Sequence, residues 1–312
     1  MNRSLGGTEW RQRQANYHGP YEDVRPGRRL ACHGGADQLD ASEPVSSCRL
    51  LSKSSEITRR YHLQRQASME DSLAKIRPHV SSSLLHQKKP ATLLVALEST
   101  FKEQNTELLP TAYFAALLTT LDGTVQKNDV GLEEGDFLPA ELYLLALVLP
   151  FVPTPVIRTH LTTLLSLTSP LFRALPTHAP PLRSQLSIYQ TIFKTLDKSQ
   201  LDSQAIRQSF ASILQLCIDP RPKVRKKAAD VVRDVLALPP APLSRHPYAE
   251  RVADWVKRIL SEANVSPFAK IKHGKPPEGS GPDTAIHVLA FLRPVLHDLP
   301  ATVSGIGYRF DS

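Results

Sequence analysis

Residues 218–232 read IDPRPKVRKKAADVV. Asp219 is a residue type that caps helices. Pro220 and Pro222 suit a first helical turn, where a missing N–H costs nothing. Val224, Ala228, Val231, Val232 and Val235 then recur at helical spacing and share one face. The positions between them hold Arg221, Lys223, Arg225, Lys226 and Lys227, five cations in seven residues. The stretch therefore predicts a proline-started amphipathic helix with a basic outer face, in which Arg225 is able to reach back to Asp219.

The same grammar extends in both directions. Upstream, Leu94, Leu97 and Phe101 share a face, as do Phe114, Leu117, Leu118 and Leu121. Leu138, Leu142, Leu145 and Leu149 follow, then Ile157, Leu161, Leu164 and Leu165, then Leu182, Leu186, Tyr189 and Phe193. Ile206, Phe210, Ile213, Leu214 and Cys217 precede the opening stretch, and Tyr248, Val252, Trp255, Val256 and Ile259 follow it. Each set fits a 3.6-residue period. Pro110, Pro139, Pro153, Pro155, Pro181, Pro220, Pro222 and Pro247 punctuate the starts, and Ser203 is placed to cap. No strand-like alternation competes.

About nine helices of 12–18 residues result. Those between Leu138 and Leu165 are apolar over most of their surface, so they need cover on two sides. Stacked antiparallel helix pairs provide it, and the pair spacing of about 40–45 residues is the HEAT/armadillo period. The Asp, Val-Arg, Ala order near 219–228 is the usual second-helix signature of a HEAT repeat. The expected fold is all-α, a HEAT/armadillo-like solenoid; an irregular helical bundle is the competing arrangement.

Residues 1–68 mix Gly, Arg, Gln, Ser and His without a sustained apolar period, and are expected to be disordered or to precede the true start at Met69. The helical domain is expected over 69–300. A surface loop is expected over 122–136, a flexible one over about 264–283, a last helix near 283–298, and a frayed tail over 301–312.

The chain has 312 residues and 26 prolines but only 14 glycines, which suits many helices with sharp stops. Its net charge of +8 favours anionic partners such as RNA or acidic proteins. Half of that excess lies in residues 1–69, with 11 basic and 7 acidic side chains, so a local cluster must carry any nucleic-acid contact. Cys32, Cys48 and Cys217 are too few and too irregular for a disulfide framework. The apolar run Leu142–Val152 is too short to span a membrane.

The candidate site is therefore the cluster Arg221, Lys223, Arg225, Lys226 and Lys227, for RNA phosphates or an acidic partner. Its other reading is a solvated helix face with Arg225 in a structural ladder. Without interleaved aromatics, contact would be to the backbone and not to bases. Lys270, Lys272, His273 and Lys275 form a weaker group. Cys32, His33 and Cys48 lack zinc spacing, and Glu133, Glu134 and Asp136 lack that of an EF-hand. No Walker A loop, GxSxG elbow or HExxH is present. No catalytic residue, cofactor, metal or small-molecule substrate is expected.

Five blocks, in order, resemble the amino-terminal region of the ribosomal RNA-processing protein 12 family. They are KIRPHVSSSLLHQKKPATLLVALESTFKEQ from Lys75, PTAYFAALLTTLDG from Pro110, FLPAELYLLALVLPFVP from Phe137, CIDPRPKVRKKAADVV from Cys217 and HPYAERVADWVKRIL from His246. The resemblance covers roughly residues 70–300 of a chain several times shorter than a full-length member. It implies a non-enzymatic, karyopherin-like HEAT scaffold of the nucleus and nucleolus. Such a scaffold associates with pre-ribosomal particles in ribosomal RNA maturation and subunit export, binds RNA and is linked to the Ran GTPase. The alternative expectation is a nuclear transport adaptor that binds protein cargo or Ran without touching RNA.

Overall fold

The computed structural model describes residues 64, 66–126, 137–175, 178–265 and 282–300. The chain divides into two units, Met1–Lys53 and Ser54–Ser312. The first lies outside the described residues, as do the candidates Cys32, His33, Cys48, Glu133, Glu134, Asp136, Lys270, Lys272, His273 and Lys275 and the tail 301–312.

Among the described residues every regular element is helical. α1 covers 66–74 and leads through a 3₁₀ turn, Arg77–Ser81, into α2, Leu85–Glu103. α3 is Pro110–Gln126 and α4 is Leu138–Val148. Three short helices follow: α5, Thr154–Thr159; α6, Leu161–Thr168; and α7, Leu171–Ala174. Then come α8, Ala179–Thr195; α9, Lys198–Leu201; α10, Gln204–Leu216; α11, Pro222–Leu236; α12, Ala249–Val265; and α13, Pro282–Val295.

The helices form two layers. α2, α4, α8, α11 and α13 pack side by side in that order. The intervening long helices stand behind them: α3 against α4 and α6, α10 against α11, and α12 against α13. Trp255 on α12 donates to Gln215 on α10, 3.5 Å away, linking neighbours of the second layer. Successive chain segments thus alternate between layers as stacked helical hairpins, the architecture of an α-solenoid. Helices α4, α8 and α11 start at Leu138, Ala179 and Pro222, intervals of 41 and 43 residues. The intervals on either side, 53 from Leu85 and 60 to Pro282, contain the stretches 127–136 and 266–281. Without those stretches they are 43 and 44, so one period runs through the array.

Burial follows the stripes. Phe114, Leu117, Leu142, Leu145, Leu186, Tyr189, Phe210, Ile213, Val231 and Val252 are each no more than 1% exposed. Burying one such aliphatic side chain contributes about 1.5–3 kcal/mol. Prolines sit in the first turns of α4, α8 and α11, as the sequence predicts.

Several boundaries differ from expectation. The stripe from Ile157 to Leu165 is two helices, broken at His160, whose ring packs edge-on against Phe114 at 5.7 Å. Residues 122–126 belong to α3 and not to a loop. Val125 packs against the core and the Thr124 hydroxyl donates to Glu141 of α4 at 2.8 Å, which keeps the last turn wound. The helix containing Met69 already includes 66–68, because Met69 and Leu73 are fully buried and anchor that turn. Ser203 stands at the N-cap of α10 without a side-chain cap bond. Asp219 lies two residues before the N-cap of α11, Arg221, and accepts its backbone N–H at 2.8 Å.

Candidate functional site

The five predicted cations separate into two groups. Arg221 folds back on Asp219 in a bidentate pair, Nε to Oδ1 at 2.8 Å and Nη2 to Oδ2 at 2.7 Å. The Asp219 side chain is only 9% exposed. Burial pushes its carboxyl up, but the hydrogen bonds from Arg221 and the charges of Arg221 and Arg225 outweigh burial and hold it below the usual carboxylate range. Arg225 donates through Nη1 to the carbonyls of Asp219, 2.7 Å, and Pro220, 3.3 Å. These two arginines organise the turn before α11.

Lys223, Lys226 and Lys227 point the other way. Helices α8 and α11 run side by side in the same direction, and Arg183 and Ser187 from α8 face Lys223, Lys226, Lys227 and Asp230 from α11. Together they line an open groove of about 400 Å³. Asp230 is paired with Arg233 at 3.0 Å, so its charge is already answered. Among the described residues Arg183, Lys223 and Lys226 have no acidic partner, and the groove carries an excess of positive charge.

A polar chain under the groove fixes its walls. Lys227 Nζ donates to Gln190 Oε1 at 2.8 Å, and Gln190 Nε2 donates to Asp234 Oδ2 at 2.6 Å. Lys194 reaches the same oxygen of Asp234 at 3.3 Å. Burial lowers the Lys227 ammonium below the ordinary lysine range, against the opposing pull of Asp230 and Asp234. Burial pushes the Asp234 carboxyl up, but Gln190, Lys194 and Arg233 outweigh it and hold it low. Lys227 is thus part wall and part interhelical tie, while Lys223 and Lys226 are exposed.

Arg183 was not among the predicted residues. It sits in the polar stripe opposite Leu182 and Leu186, one repeat before the basic run, and a lone arginine at that distance gives no local signal. The only clue is the period itself, which aligns the first turn of α8 with that of α11. The groove offers four cations, one carboxylate and one hydroxyl, an arrangement able to hold phosphates.

Comparison with known proteins agrees with this architecture. The family model described as RRP12-like, N-terminal HEAT repeats matches residues 61–305. Ribosomal RNA-processing protein 12 of Saccharomyces cerevisiae is 30% identical over 202 residues, 62% of this chain and 16% of the relative. RRP12-like proteins of Gallus gallus and Homo sapiens are 29% and 27% identical over 227 and 231 residues, again 16% of each relative. The chain therefore corresponds to about a sixth of the length of these relatives.

Proposed function

The chain belongs to the RRP12-like, N-terminal HEAT-repeat family, and on that premise we propose that it is a non-enzymatic helical scaffold in ribosome biogenesis. It associates with pre-ribosomal particles in the nucleus and nucleolus, during ribosomal RNA maturation and subunit export. Relatives named for ribosomal RNA processing supply the process. The groove between α8 and α11 supplies the contact, and the observation that carries it is the set of unanswered cations, Arg183, Lys223 and Lys226, on two adjacent helices.

RNA backbone is the ligand these residues suit best. Cations spread along a groove release counterions from phosphates and favour binding without reading sequence. Arg221 and Arg225 serve the site indirectly, by holding the turn that starts α11.

Sedimentation of the tagged chain in nuclear extract tests the proposal. Co-migration with pre-ribosomal particles is expected, with collapse to the free position after ribonuclease treatment or after the paired change Lys223→Glu and Lys226→Glu. Migration as free protein without ribonuclease, or particle association indifferent to both treatments, overturns it.

A further inference from the structure

An aromatic side chain stands beside the cationic groove. Helix α4 is flanked by α2 and α8 and backed by α3, so the one side it leaves to solvent is the free face of its layer. Tyr143 occupies that side with 43% of its surface exposed, while Leu142, Leu144 and Leu145 around it are buried. None of the ring contacts among the described residues involves it.

Its height on the face follows from a second cleft. Pro150 and Val152, just past the end of α4, share a notch of about 310 Å³ with Lys194 and Thr195 at the end of α8. The two helices pack along their length with these ends together, so they run in the same direction. Seven residues before Pro150 is Tyr143, and seven before Lys194 is Ser187, which lines the cationic groove. Equal steps of about 10 Å along parallel helices bring Tyr143 level with Ser187. It lies one helix across, roughly 8–10 Å between axes.

We infer that this face takes single-stranded RNA, with one base stacked on the Tyr143 ring and neighbouring phosphates against Arg183, Lys223 and Lys226. The inference rests on the RNA reading above and names the form of RNA. In a duplex each base is stacked on its neighbours and offers no face to a protein ring, so a duplex uses the cations and leaves Tyr143 idle. An unpaired strand uses both. Every base has a π-face, so the contact tolerates any sequence.

Fluorescence anisotropy with the full chain tests this, using a short labelled oligouridine and an RNA duplex of equal length. Tyr143→Ala and Tyr143→Gln are expected to weaken oligouridine binding about 5- to 100-fold and to leave the duplex unchanged. Tyr143→Phe keeps the ring and is expected to bind as the parent does. Lys223→Glu with Lys226→Glu weakens both RNAs. Oligouridine binding unchanged in both ring-removing variants, or duplex binding that falls in parallel while helicity by circular dichroism is retained, overturns the inference. In either case the effect of the lysine pair still upholds RNA binding. If neither RNA binds the parent chain at low salt, the RNA reading itself fails.

Discussion

Two charged clusters in the array use their charge in opposite ways. In the first, Arg77 lies between carboxylates: Nη1 is 2.6 Å from Glu70 and Nη2 is 2.8 Å from Glu98, while the Tyr113 hydroxyl donates to Glu98 at 2.8 Å. Its hydrogen bonds to Glu98 and then to Glu70 raise the arginine above its ordinary value, and burial, joined by the bond to Glu98, raises Tyr113. Every strong donor there has an internal acceptor, and the cluster ties α1, the 3₁₀ turn, α2 and α3 together. In the second, Arg183, Lys223 and Lys226 face one another across an open groove and their charge points outward. A closed cluster of this kind stabilises the array; an open one is what the proposed function assigns to binding.

Arg77 is the residue whose loss is expected to change stability most. Arg77→Ala leaves Glu98 and Glu70 without their cation, and the stability measured by urea denaturation is expected to fall by about 2 kcal/mol. RNA affinity at a temperature where the variant is folded is expected to stay the same.

The paired change Lys223→Glu and Lys226→Glu is the mirror image. Both side chains are exposed, so stability is expected to move by less than about 0.5 kcal/mol. The slope of log affinity against log salt on single-stranded RNA should flatten by about 1.4, roughly 0.7 for each phosphate that is no longer neutralised. Titrating salt in the anisotropy assay measures this.

Asp219→Asn tests the arginines that belong to the fold. Near neutral pH it is expected to cost about 1 kcal/mol, read by urea denaturation. The Asp219 carboxyl is held below its unfolded value, so its contribution is present above the unfolded pKa of about 3.9. It is lost as pH falls through the lower folded value, and parent and variant should converge there. Their difference must be compared at each pH, because His246 adds its own slope. Burial lowers that imidazole to about 4, so the unfolded chain binds a proton first and stability falls in both proteins as pH drops from about 6.5.

The smallest effect belongs to Lys227, which straddles the two kinds of cluster. Lys227→Met removes a partly buried cation along with its bond to Gln190, and these offset one another to within about 0.5 kcal/mol. Its loss should weaken RNA binding less than the loss of Lys223 or Lys226, because its ammonium is already engaged.

Much of the fold was legible because stripes and prolines are local signals. Leu186 or Val231 is placed by the residues three and four away, and Pro139, Pro181 and Pro222 mark the starts around them. The break at His160 was not legible, since Leu161 continues the apolar period on both sides of it. The extension of α3 to Gln126 rests on Thr124 meeting Glu141, a contact made only after α3 and α4 pack. The site was half legible for the same reason. A run of five cations is visible in the chain, but its division depends on the Asp219 carboxylate and carbonyl, which claim Arg221 and Arg225. Arg183 and Tyr143 come to the groove from other helices, through layer packing that no short segment announces.

The constant period has a consequence for how the chain tolerates change in length. Both stretches that lengthen it, 127–136 and 266–281, lie where the chain passes from the second layer to the first, from α3 to α4 and from α12 to α13. In a stack of hairpins all such crossings fall along one margin. In general, lengthening a connection between two helices costs only about 0.6 kcal/mol in loop closure per doubling of length. The array behaves like a ruled page with one ragged edge: text lengthens at the margin while the lines, and the groove between two of them, keep their spacing.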